Sequence, residues 1–178
     1  FPYTTLFRSG KEVEVKFSQK DLPKGHVVVM EAEQLQPSHI QGKRNPMFFI
    51  EEAQPKNRAE DVSQTAARNI AENIRPQEIT SSTTAYTGAP TINTRGEVIQ
   101  GNNRSDALRY LWQNNLPKQQ QAYKQYLLDQ AEQLGLDSNA INAMQHPVLV
   151  NQLDVDDAEA IRLGQMTAQD TEDRKSVV

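Results

Sequence analysis

The chain has 178 residues, of which 37% are hydrophobic and 24% charged, and a formal net charge of −4 at pH 7. This length suits one domain that buries a real core. Because the chain contains no cysteine, disulfides, thiolate metal sites and cysteine nucleophiles are excluded. The negative charge argues against a broad basic surface for nucleic acid. No apolar run approaches the ~18 residues of a membrane span, so no membrane partner is expected.

The two ends of the chain differ in kind from the rest. Residues 1–9 (FPYTTLFRS) and 173–178 (DRKSVV) resemble the translations of a sequencing adapter and of its reverse complement. Both are predicted to be adapter-derived, non-native tails that pack poorly, which leaves residues 10–172 as the domain. The gene is interpreted as an environmental fragment whose natural product continues at both ends.

The first part of the domain is predicted to hold short strands and a long loop. Val13–Phe17 alternates apolar with polar residues and is either an edge strand or a linker. The apolar run Val27–Met30 is typical of a buried strand, predicted over His26–Glu33. Gly42–Arg58 is polar and contains proline, so it is predicted to be a loop anchored by the apolar residues Met47–Ile50.

The middle of the chain alternates between helices and strands. A helix is predicted over Ala59–Ile74, stopped by Pro76, because apolar residues recur there at steps of four. That face comprises Val62, Ala66, Ile70 and Ile74. Strands are predicted over Ala89–Asn93 and Glu97–Gln100, and a helix over Ser105–Asn114 with Leu108, Leu111 and Trp112 on its apolar side.

The second half is predicted to be mostly helical. A long helix carries an inner stripe of Tyr123, Tyr126, Leu127, Ala131 and Leu134 and ends at the C-cap Gly135. Asp137 or Ser138 caps a short helix through Met144, and the acids Asp156, Asp157 and Glu159 are interpreted as a solvated helix start. The predicted elements are a helix over Gln119–Leu134, a strand over Pro147–Leu153 and a helix over Asp156–Met166.

The segment Gly101–Ser105 (GNNRS), here called the corner, lies between a predicted strand and a predicted helix. A glycine there allows backbone N–H groups to approach an anion, and the helix N-terminus adds partial positive charge. Arg104 supplies a planar fork that suits phosphate oxygens, and Asn102 and Asn103 tolerate left-handed conformations. The spacing alone also fits an ordinary capped turn.

Four phrases in the same order carry a family resemblance. They are Gln54-Pro55-Lys56-Asn57-Arg58, Asn73-Ile74-Arg75-Pro76, Gly88-Ala89-Pro90 and Gly101-Asn102-Asn103-Arg104-Ser105. Together they resemble the ParB/sulfiredoxin superfamily, and most of all the DdrB-like ParB domain of phage and plasmid proteins. Their order and spacing hold over about Val27–Leu111, and the resemblance continues more loosely through Pro147–Glu172.

The resemblance implies an α/β (α+β) fold, a small mixed sheet surrounded by helices. Its core would span residues 27–112, with a helical extension over 119–172. It also implies a phosphate- or nucleotide-binding domain of a mobile-element protein in the cytoplasm of a bacterial host, with a nucleoside triphosphate and Mg²⁺ as cofactor. The phosphate-binding residues it implies are Gly101, Asn102, Asn103, Arg104, Ser105, Arg58 and Gln54.

Whether the domain is an enzyme stays open. Asn102 stands where sulfiredoxins carry their reactive cysteine, so reductase chemistry is excluded. Asn102 and Asn103 replace the Glu-Arg pair of the partitioning ParB corner, so one acid and one anion contact are lost while the phosphate cradle remains. One hypothesis for such a domain is metal-dependent nucleotide hydrolysis or phosphotransfer. The alternative is a non-catalytic module that ties a larger phage or plasmid protein to DNA or to a protein partner.

The sequence assigns no catalytic residue and no metal ligand. His26, His39 and His146 lie too far apart to suggest a metal set, and each is interpreted as a surface or capping residue.

Overall fold

The computed structural model describes residues 8–40, 43–45, 61–80 and 84–166. Within these ranges, seven strands and five α-helices follow one another along the chain, with 3₁₀ segments at Ala32–Gln34 and Pro76–Glu78. The strands are β1 (Arg8–Glu14), β2 (Lys24–Glu31), β3 (His39–Ile40), β4 (Lys43–Arg44), β5 (Thr91–Ile92), β6 (Val98–Gln100) and β7 (Pro147–Leu153). The helices are α1 (Asp61–Glu72), α2 (Asn102–Gln113), α3 (Pro117–Leu134), α4 (Ser138–Ala143) and α5 (Asp157–Gly164).

Five of the strands form one mixed sheet in the order β1-β2-β7-β5-β6. β1 pairs with β2, β2 with β7 and β5 with β6 in antiparallel fashion, whereas β5 and β7 are parallel. β3 and β4 form a separate two-stranded ribbon. The mixed sheet with its helices confirms the predicted α/β class.

The core forms where the most apolar strands pair. Val27–Met30 of β2 and Val148–Val150 of β7 are buried, and the two strands are hydrogen-bonded neighbours. Continuous burial, rather than alternation, means that both faces of the sheet are covered at this point. The sequence prediction of a buried strand at each place is confirmed.

Helix ends follow the predicted chemistry. Gly135 ends α3 in the left-handed region at φ 70°, and its N–H donates to carbonyls of the last turn. The Asp137 carboxylate accepts from the Asn139 amide at the start of α4, and the Asp156 carboxylate accepts from the Glu159 amide at the start of α5. α1 packs against α2, and α5 packs against β6.

Two local predictions need correction. β1 runs from Arg8 to Glu14 at the edge of the sheet, so of the two alternatives for Val13–Phe17, an edge strand or a linker, the edge strand holds for Val13 and Glu14 alone. Val15 and Phe17 are buried all the same, because they follow β1 in a turn whose amides donate to the Pro23 and Asp21 carbonyls. The alternation of apolar and polar residues there therefore reflects the burial of Val15 and Phe17, and not a continuation of the β1–β2 ladder. Strand pairing also includes Arg8 and Ser9, which the sequence assigned to the first tail.

The inward side of α1 includes two alanines beside the predicted face. Among the residues of α1 whose burial is described, Ala67 and Ala71 are buried, whereas the predicted Ile70 and Ile74 are partly buried and pack against the core. Small side chains lie inward because α1 packs against α2, and alanine allows two helices to approach closely. The predicted loop anchor Met47–Ile50 lies outside the described residues. Among the helices that the structure describes, none is long and apolar enough to cross a membrane.

Tyr123 supplies a test of how α3 is fastened to the sheet. Its fully buried hydroxyl accepts a hydrogen bond of 2.9 Å from the Leu149 amide in β7. Tyr123→Phe leaves that N–H unsatisfied, so we expect urea denaturation at pH 7 to show a free energy of unfolding lower by about 1–3 kcal/mol. Tyr126→Phe on the same helix is the matched control, with little change expected.

The same variant carries a pH signature. Burial raises the pKa of Tyr123, so the unfolded chain loses this proton first, at a pH of about 10. The stability that comes from the protonated phenol is complete below that pH and declines above it, by up to about 1.4 kcal/mol per pH unit. We therefore expect the difference between wild type and Tyr123→Phe to shrink above pH 10. A difference that stays constant to pH 11 would contradict this.

Candidate functional site

The corner has the predicted strand-to-helix geometry. β6 ends at Gln100, Gly101 lies in the left-handed region at φ 95°, and α2 begins at Asn102. The Ser105 amide donates to the Gly101 carbonyl at 2.8 Å, which opens the helical hydrogen-bond ladder. No side chain caps α2 and its first turn holds no acidic residue, so the first amides of the helix lack the usual internal acceptor.

The Arg104 side chain contacts the segment Ala85–Gly88, which precedes β5. Its Nη1 donates to the Gly88 carbonyl at 2.7 Å and its Nη2 to the Ala85 carbonyl at 3.0 Å. Burial lowers the pKa of Arg104 to about 10, and no carboxylate of the described residues offsets that effect. The guanidinium is still charged at neutral pH, so the corner carries a cation that has no acidic partner in the part of the chain that the structure describes.

Gly101 is required by the position of that guanidinium. A Cβ atom at residue 101 would lie 2.9 Å from Nη2 of Arg104 and 3.2 Å from the Pro90 Cα. The positive φ also disfavours any side chain. The glycine and the arginine of the corner are therefore a matched pair.

The two asparagines have different surroundings. The Asn102 side chain is buried, and its Oδ1 accepts from the amide and the hydroxyl of Ser38 at 2.7 and 2.9 Å. This contact fastens the segment after β2 to the first turn of α2, and it occupies the side chain that the sequence assigned to phosphate. Asn103 is partly exposed.

Ser105 also points inward. Its hydroxyl is buried and has no hydrogen-bond partner among the described residues, and its amide is used by the helix. Of the predicted site, the groups left for an anion are the first amides of α2, the partly exposed Asn103 side chain and the remaining N–H groups of Arg104. Arg58 and Gln54 lie outside the described residues.

A cleft of about 630 Å³ lies against α1 and the start of α2. Its lining combines two apolar side chains, two amides, two guanidinium groups and one carboxylate. These residues are Asn69, Ile70, Asn73, Arg75, Glu78, Ile79 and Arg104. Arg104 is thus both bound to carbonyls and part of a cleft wall.

Sequence reasoning missed most of this lining. Asn73 and Arg75 lie within one of the family phrases, but they were not assigned to the site. The signal was present in Asn69 and Asn73, two amide side chains one helical turn apart near the end of α1. Arg75 and Glu78 form an ion pair of 3.7 Å, with the side chains 72% and 56% exposed. Such an exposed pair is weak, so Arg75 is available to a stronger partner.

His146 lies beside two acids that are remote in sequence. Its Nδ1 is 2.6 Å from a carboxylate oxygen of Glu33, and its backbone amide donates to Glu31 at 2.8 Å. The sequence interpreted His146 as a surface or capping residue. Residues 31 and 33 are far from residue 146 in the sequence, so no sequence motif could have indicated that these side chains form a cluster.

Comparison with known proteins gives a family. Residues 19–154, most of the chain, match the family described as the ddrB-like ParB superfamily domain. The chain belongs to this family. The match confirms the suspected resemblance and spans the corner, the α1–α2 cleft and β7 of this ParB-like domain. No curated protein and no solved structure gives a significant match.

The Gly101–Arg104 pairing can be tested by Gly101→Ala. We expect a loss of about 1–2 kcal/mol from the positive φ, plus displacement of the Arg104 head by the new methyl group. Gly135→Ala is the control, because Gly135 also has a positive φ and lies outside the cleft lining. Urea denaturation should show both variants destabilised, and Gly101→Ala by more than Gly135→Ala, because only the methyl group at residue 101 meets the Arg104 guanidinium. Equal stability of Gly101→Ala and wild type would contradict the pairing.

Proposed function

We propose that this ParB-like domain binds a nucleotide in the α1–α2 cleft, with the phosphates at the first turn of α2 and at Arg104. The observation that carries the proposal is the Arg104 guanidinium, which is partly buried, bonded among the described residues to neutral carbonyls, and part of the cleft wall. The resemblance of the four sequence phrases to phage and plasmid proteins extends the proposal to a mobile-element protein.

The electrostatics of Arg104 favour an anion. A buried cation is costly unless it is paired, and the two carbonyls offset only part of that cost. An arginine has five N–H donors, and the described contacts of Arg104 use two of them. A phosphate oxygen would accept from the remaining donors and would supply the missing negative charge.

The first turn of α2 adds donors that point in a useful direction. Its amides have no side-chain cap, and the helix dipole places partial positive charge at that end. Arg75 can add a second charge by exchanging its weak pairing with Glu78 for a phosphate. These groups would form the anionic end of the site.

The rest of the cleft suits the nucleoside. A volume of about 630 Å³ lies within the usual range for small-molecule sites. Ile70 and Ile79 offer apolar surface to a base or a sugar, and the amides of Asn69 and Asn73 offer donors and acceptors to its edge. This combination favours a whole nucleotide over a bare phosphate ion.

The cleft fits magnesium only in part. Glu78 is the carboxylate in the described lining, and Mg²⁺ commonly uses one or two carboxylates together with substrate phosphates. Glu78 would therefore hold Mg²⁺ jointly with the nucleotide. Because hydrolysis would also need a group to activate water, the proposal is limited to binding.

The test compares two arginines of the same helix. Arg104→Gln should weaken nucleotide binding roughly tenfold or more, since a hydrogen bond to a charged group contributes about 1.5–3 kcal/mol. Arg104→Lys should recover only part of the affinity because the planar fork is lost. Isothermal titration with ATP, CTP, GTP and UTP, with and without Mg²⁺, measures the effect.

Arg109→Gln is the matched control. Arg109 also donates to backbone carbonyls, those of Ala32, Glu33 and Leu35, but it is not part of the cleft lining. Its replacement should destabilise the fold while leaving nucleotide affinity unchanged. Absence of nucleotide binding by wild type, or equal losses in the two variants, would contradict the proposal. Binding of a short DNA duplex alone, with the same dependence on Arg104, would assign the site to nucleic-acid phosphate instead.

A further inference from the structure

A second cluster of charged side chains lies where β2 ends and β7 begins. Glu31 is the last residue of β2, Glu33 lies in the following 3₁₀ segment and His146 immediately precedes β7. The ligand atoms that these three side chains offer all lie within 4.8 Å of one another. We propose that this acid–imidazole cluster, Glu31, Glu33 and His146, binds a divalent cation of the zinc class.

The backbone holds the three residues in register. Glu31 pairs with Pro147 across the β2–β7 ladder, and the Ala32 amide donates to the His146 carbonyl at 2.8 Å. The backbone pairing thus extends to Glu31 and His146, and Glu33 follows in the adjoining 3₁₀ segment. A site built on paired backbone keeps its geometry better than one on a free loop.

The side chains are also oriented before any cation arrives. The Glu31 carboxylate accepts from the amides of Gln145 and His146 at 3.2 and 2.8 Å, and each oxygen keeps a lone pair for a further ligand. The His146 ring stacks on the Trp112 indole with 5.4 Å between centroids. The Trp112 Nε1 in turn donates to the Pro147 carbonyl at 3.1 Å.

The donor set selects the class of cation. Two carboxylate oxygens and one imidazole nitrogen suit Zn²⁺, whereas Mg²⁺ and Ca²⁺ prefer oxygen ligands alone. Ligand atoms around a tetrahedral zinc lie roughly 3.4 Å apart when the bonds are about 2.0–2.2 Å long. The ligand atoms, which lie within 4.8 Å of one another, therefore have to approach by up to about 1.4 Å. The fourth position is left for water or for a group of another molecule.

The surrounding charges leave the cluster negative. Burial lowers the pKa of the nearby Arg109, and the Glu33 and Asp106 carboxylates partly offset that effect. Arg109 therefore balances some of the charge of Glu33, while its own hydrogen bonds go to backbone carbonyls. The two carboxylates of the cluster still give this surface a net attraction for a cation.

Fluorescence of Trp112 can report cation binding at the acid–imidazole cluster. Trp112 is the one tryptophan in the sequence and stacks on His146, so its emission should change when a cation binds the ring. Titration of the untagged protein with ZnCl₂ should give one site per chain by calorimetry, with a parallel change in Trp112 fluorescence. His146→Gln and Glu33→Gln should each weaken Zn²⁺ at least about tenfold.

His26→Gln is the matched control, because His26 is an exposed histidine in the middle of the same sheet and lies outside the cluster. It should bind Zn²⁺ with wild-type affinity, and the melting temperature without metal checks that each variant is folded. MgCl₂ should produce no comparable signal. Absence of Zn²⁺ binding by wild type, or equal affinity of His146→Gln and His26→Gln, would overturn the proposal. Because Arg104 takes no part here, either result is independent of nucleotide binding.

Discussion

The first turn of α2 depends on one partly buried cation, Arg104. Arg104 binds the carbonyls of Ala85 and Gly88, and its head occupies the space that a side chain at residue 101 would need. Glycine at position 101 and arginine at position 104 thus together determine the backbone conformation between β6 and α2. Asn102 adds a tie from the same turn to Ser38. Two otherwise irregular segments of the chain are therefore fastened to the first turn of one helix.

The elements that could be predicted are those whose signals are local. The β5–β6 hairpin follows from a turn glycine, Gly96 at φ 88°, between short apolar runs, and α3 follows from its apolar spacing and from Gly135. The limits of β1 could not be predicted, since they depend on pairing with β2 rather than on the alternation of Val15 and Phe17. The burial of Ala67 and Ala71 in α1 was not predicted, because alanine signals burial only weakly in a sequence.

The backbone geometry of the corner could be predicted from the sequence, but the partners of its side chains could not. An arginine after Gly-Asn-Asn suggests phosphate, but nothing in that spacing reveals that two donors of Arg104 are taken by carbonyls. Likewise the partner of Asn102 is Ser38, on a distant segment of the chain. The acid–imidazole cluster has the same origin, since only the pairing of β2 with β7 brings Glu31 beside His146. The direction of a side chain and the pairing of distant segments depend on the folded structure, so local sequence spacing does not predict them.

The sheet order has a consequence for how the chain acquires its structure. β7 is the last strand along the described chain, yet it lies between β2 and β5. Until Pro147–Leu153 has been synthesised, the strands of this sheet can form only two separate hairpins, each marginal on its own. Such a fold has a high contact order, because its central strand pairings join residues that are far apart in the sequence. The entropy cost of closing these long loops has to be met before the pairings stabilise the sheet. During synthesis the edges of β2 and β5 are therefore open to other chains, and a chain released before β7 would be prone to intermolecular strand pairing.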